Sequence, residues 1–62
     1  MTGDEVRAAR KKLGLTQRAF AERVGVVTNT VARWERGEMT VGSTAIILIR
    51  LLAQQAPTKR RR

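Results

Sequence analysis

Few side chains in this chain can do acid–base or nucleophilic chemistry. There are five carboxylates, Asp4, Glu5, Glu22, Glu35 and Glu38, and one serine, Ser43, with no His, Cys or Tyr. That composition removes most nucleophiles and neutral-pH proton carriers and leaves scattered carboxylates as the only acid/base candidates. It argues against an enzyme. The lack of Cys also excludes a disulfide framework and a thiolate metal site, and no cofactor is implied.

What remains is hydrogen bonding and charge. The stretch VVTNTVARWERG, residues 26–37, carries polar side chains that are too polar to bury, yet too regularly placed for a loop. The chain has a net charge of +8, from 13 Lys and Arg against 5 Asp and Glu. The run KRRR at 59–62 holds four of the bases, so the rest keeps nine against five, a net of +4. The positive bias is not confined to the end, and a polyanion is the implied partner.

The elements that must position these groups are short. Sixty-two residues allow one small domain, and such a domain buries only about 60% of its unfolded surface. Helix packing must hold it. The start, MTGDEVRAARKK, has the wrong charge order for a secretory signal, and the longest apolar run, AIILI, is too short to span a bilayer.

Thr2 and Glu5 have the form of a capping box. They predict a first helix over about Gly3–Leu13, with Val6, Ala9 and Leu13 inward and Gly14 as its stop. Thr16 is a good cap for a second helix, Gln17–Val24, that turns Phe20 and Val24 inward and closes at Gly25. A third helix follows over about Thr28–Arg36, with Val31 and Trp34 inward and Gly37 as terminator. The i, i+3 spacing from Val31 assigns Trp34 to the core rather than to stacking on a base. Ala21 is small where the second and third helices must approach closely.

Residues 37–43 read as a loop. Ser43 is the expected cap of a last helix, Thr44 to about Gln55, before Pro57 forbids continuation. Ala45, Leu48, Ile49 and Leu52 share one face of it, and Ile47 and Leu51 lie on the far side. The domain is expected over residues 1–56, with 57–62 as a flexible basic tail.

LTQRAFAERVGVVTNTVARWERG, residues 15–37, resembles the helix-turn-helix of the phage Cro/repressor (Xre-like) family of DNA-binding proteins. The resemblance is close over residues 13–37 and looser to residue 53, where GEMTVGSTAIILIRLLA is similar to the family's loop and following helix. It implies an all-α fold, a compact four-helix, lambda-repressor-like domain. In that family the second helix of the pair enters the major groove and the first lies across the backbone.

Carried over by position, the resemblance implies that Val27, Thr28, Asn29 and Arg33 face base edges. Arg33 suits guanine, Asn29 adenine, Thr28 several edges, and the Val27 methyls a thymine methyl. Gln17, Arg18, Thr30 and Arg36 would contact phosphate, although Arg18 and Arg23 also fit a plain solvated face. Arg10 and Glu35 match a structural ion pair between the first and recognition helices.

Two positions depart from the family. Val27 stands where Ser or Thr usually caps, so the helix starts either after Val27 or with Thr28 as its cap. Val41 stands where relatives often have Pro.

The resemblance therefore implies a sequence-specific regulator of transcription on an operator in double-stranded DNA. The expected form is a homodimeric repressor, cytoplasmic and nucleoid-associated when bound. Ile47 and Leu51, one turn apart, are the expected dimer contact.

One rival is an antitoxin-type module that neutralises a toxin partner and represses their shared operon. A basic membrane-surface protein fits less well, because Lys and Arg are spread over all the helices. The KRRR tail reads as non-specific phosphate attraction, with a minor-groove arm, a solubilising end or an import signal as alternatives.

Overall fold

Short-range hydrogen bonds set where most of the helices start and stop. The computed structural model describes residues 1–55, which form α1 (Gly3–Lys12), α2 (Gln17–Val24), α3 (Thr28–Glu35) and α4 (Ser43–Gln54), with no strand among them. The fold class is all-α, as the sequence implies. The basic tail expected at 57–62 lies outside the described residues.

At the head of α1 the capping box is complete. The Glu5 N–H donates to Thr2 Oγ1 at 3.2 Å and the Thr2 N–H donates to Glu5 Oε1 at 2.7 Å. At the head of α2 the Ala19 N–H donates to Thr16 Oγ1 at 3.1 Å. Gly25 ends α2 with a left-handed φ of 87°, which lets the chain turn sharply into α3. The start of α3 has no such support: Val27 is its N-cap in extended backbone, and no side chain caps it. Thr28 is thus the first helical residue rather than the cap.

Val6, Phe20, Ala21, Val24, Val31, Trp34, Val41 and Ile49 are buried together, so every helix contributes to one core. Phe20, Ile49, Val6 and Val31 are fully enclosed, and each contributes roughly 1.5–3 kcal/mol of transfer free energy. α2 packs on α3, α1 on α3 and α4, and α2 also touches α4. α1 meets the end of α3 at very close range: a Cβ placed on Gly3 would lie 2.5 Å from the Trp34 carbonyl oxygen and 2.7 Å from that of Glu35.

Two expectations for α4 need correction. Ser43 is not the cap but the first helical residue, because Gly42 takes the extended cap position and its carbonyl accepts the Ile46 N–H at 2.9 Å. Leu48 is 39% exposed, while Ile46 packs against the core instead. Ala45, Ile49 and Leu52 do pack inward as expected, and the buried stripe extends from Ile49 toward Ile46 rather than toward Leu48. Leu48 instead borders an open apolar hollow shared with Val26, Trp34 and Met39. No helix among the described residues is long and apolar enough to cross a membrane.

Candidate nucleic-acid interface

The helical repeat divides α3 into two faces. Val31, Trp34 and Glu35 are buried. Thr28, Asn29, Ala32, Arg33 and Arg36 fall within an arc of about 140° on the other side, and all but the half-buried Ala32 are exposed. Val27 stands just before this arc and is 67% exposed, the most exposed large apolar side chain among the described residues. Thr30 lies outside the arc, half-buried. The structure thus brings Thr28, Asn29, Arg33 and Arg36 to one solvent-facing surface and sets Thr30 to its side.

That surface is held at a fixed angle by a buried carboxylate on the inward face of the same helix. The Glu35 side chain is only 2% exposed. It accepts from Arg10 twice, from Nε to Oε2 at 2.7 Å and from Nη2 to Oε1 at 3.2 Å. It also accepts from Gln17 Nε2 at 3.2 Å and from Arg7 Nε at 3.4 Å. Arg10 further donates to the Leu15 carbonyl at 3.0 Å, which ties in the α1–α2 connection. One carboxylate therefore joins α1, α2 and α3. Burial pushes the Glu35 carboxyl up, but the hydrogen bonds from Arg10, Gln17 and Arg7 outweigh it and hold the group below its ordinary 4.5.

The residues assigned to phosphate have different surroundings. Gln17 gives one amide N–H to Glu35; an amide nitrogen carries two, so one remains to donate elsewhere. Arg18 is solvated and stands 3.8 Å from Glu22 one turn on. Arg36 donates through its fork to Glu38, Nε to Oε2 at 2.8 Å and Nη2 to Oε1 at 3.2 Å. The same Glu38 lies 3.9 Å from Arg33 Nε. Arg36 beside it holds the Glu38 carboxyl below the usual carboxylate range, and Glu38 in turn raises the Arg36 guanidinium.

Sequence reasoning missed three participants. Arg7 joins the Glu35 cluster, and its signal was its i, i+3 spacing from Arg10 on α1. Ala32 lies in the middle of the polar arc, where a methyl can meet a thymine methyl. Glu38 bears on both arginines, and its signal was its place directly after the Gly37 stop.

On α4, Ile47 is 59% and Leu51 47% exposed, one turn apart and away from the core. Among the described residues no cluster of three or more metal-ligating side chains occurs.

The sequence model described as helix-turn-helix matches residues 6–53, from within α1 to nearly the end of α4. Nothing among the curated proteins and nothing among the solved structures matches the chain. The match covers the α2–Gly25–α3 unit, the helix that braces it and the helix that follows, and the chain belongs to the helix-turn-helix family of DNA-binding proteins in its Cro/repressor (Xre-like) form.

Proposed function

We propose that the protein is a sequence-specific transcription regulator that docks α3 in the major groove of an operator and represses as a homodimer. The observation that carries this reading is the exposed arc of Thr28, Asn29, Arg33 and Arg36, on a helix whose other face is locked by Glu35. Hydrogen-bonding side chains on a rigid, solvent-facing helix suit base edges, because their geometry is settled before contact. In this reading Val27, Thr28, Asn29 and Arg33 read bases, while Gln17, Arg18, Thr30 and Arg36 bind phosphate.

Ile47 and Leu51 are the proposed dimer contact, since two exposed apolar residues one turn apart form a self-complementary patch. Two copies would then present α3 about 34 Å apart, one turn of DNA. Selection of duplexes from a random pool at about 150 mM salt, where phosphate attraction is already weakened, should recover an inverted repeat. An unenriched pool would overturn the reading. The antitoxin form of the same domain would instead show itself by co-purification with a second small protein.

Arg33→Ala is expected to lower affinity by about 1–3 kcal/mol and to relax choice at one base pair of each half-site. Competition binding against single-base operator variants checks it. Equal weakening on every duplex would remove Arg33 from base reading.

A further inference from the structure

The third glycine stop differs from the other two in what it presents. Gly37, at φ 76°, ends α3 in a Schellman motif: its N–H donates to the Trp34 carbonyl at 3.0 Å, and the Glu38 N–H donates to the Arg33 carbonyl at 2.9 Å. The residue after such a stop commonly makes an apolar contact back onto the helix. Leu15 after Gly14 and Val26 after Gly25 do pack against the core. After Gly37 the position holds a carboxylate, 3.9 Å from Arg33 and paired through both oxygens with Arg36. Helix stability does not explain an acid there, because the C-terminal end of the helix dipole is negative and favours bases.

We propose that Glu38 is an internal stand-in for a DNA phosphate, occupying in the free protein the Arg36 fork, and part of the field of Arg33, that DNA takes over in the complex. This inference rests on the DNA-binding reading above and adds to it a residue that sets affinity without touching DNA. A carboxylate and a phosphate both accept from a guanidinium fork through two oxygens, so DNA can take the Nε–Nη2 edge of Arg36 only when the Glu38 pair opens. The backbone hydrogen bonds of the Gly37 stop fix the Glu38 main chain beside the end of α3, so the competition is intramolecular. It also keeps a negative charge beside the phosphates, which lowers affinity for every duplex alike.

The test compares the full chain with Glu38→Gln, Arg36→Gln and the double variant, titrated by fluorescence anisotropy onto a random-sequence duplex between about 50 and 200 mM salt. Glu38→Gln is expected to bind about two- to fivefold tighter at the low end, the range for losing an exposed pair. The gain should shrink as salt rises, because screening weakens the internal pair. It should also fall below about twofold in the Arg36→Gln background, where no fork remains to be released. Unchanged or weaker binding by Glu38→Gln, with the parent chain still bound, overturns the inference alone. A gain that persists undiminished without Arg36 also overturns it, since net charge would then suffice. No binding by parent and Glu38→Gln alike overturns the DNA-binding reading as well.

Discussion

Glu35→Ala is expected to cost about 3–5 kcal/mol, the range for stripping one partner from a buried ion pair, and to leave much of so small a domain unfolded. The side chain is 2% exposed and takes four hydrogen bonds from Arg10, Gln17 and Arg7. Removing it strands the half-buried Arg10 guanidinium and releases three helices from one another. Replacing Arg10 and Glu35 together by apolar residues of similar volume should cost much less, because no lone charge is left behind.

The same carboxylate makes stability depend on acid. Its folded value is held below its unfolded one of 4.5, so its contribution is present above that pH and is lost as pH falls through the lowered folded value. Thermal unfolding followed from pH 7 down to about pH 3 should show this loss for the parent chain and a flatter profile for Glu35→Gln. Equal stability of Glu35→Ala and the parent at neutral pH would show that the network is dispensable.

Gly3→Ala is expected to destabilise by about 3 kcal/mol, the upper end of ordinary overpacking. Helix propensity alone predicts the reverse, because Ala is better than Gly in a helix by up to about 1 kcal/mol. The added methyl would stand 2.5 and 2.7 Å from two backbone carbonyl oxygens at the end of α3. Neither can rotate away as a side chain could, so α1 must lift from α3. Arg7 and Arg10 ride on α1, and lifting it stretches their bonds to Glu35 as well. Chemical denaturation of the two proteins checks it, and a gain in stability would show that α1 docks differently.

Gly3 also shows what a sequence conceals. Read alone, it is an indifferent first residue of a helix; its importance lies in Trp34 and Glu35 carbonyls some thirty positions away. By contrast, the bounds of α2 were legible because Thr16, Gly25 and the Phe20–Val24 spacing act within one or two turns. The four-helix order was legible for the same reason.

The sequence leaves the start of α4 open by one residue because Gly42 and Ser43 can both precede a helix, and only the Gly42 carbonyl bond to Ile46 decides between them. Leu48 departs from the face expected of it because α4 is apolar almost all round. Periodicity then cannot say which stripe α1 and α2 will cover. At the candidate site, local sequence placed the polar arc of α3. It did not reveal that Gln17 also serves Glu35, or that Glu38 folds back onto Arg33 and Arg36, since both depend on where the chain goes after a turn.

Trp34 gives the molecule its own optical probe. It is the single Trp, there is no Tyr, and its indole is buried with an N–H that has no acceptor among the described residues. A buried indole emits to the blue of one in water, so the colour of the protein's fluorescence is set at one place, the inner side of α3. Emission therefore follows the seating of that helix alone, whereas circular dichroism follows all four. Any gap between the two signals on heating would mark the moment when α3 comes loose from a bundle that is still helical.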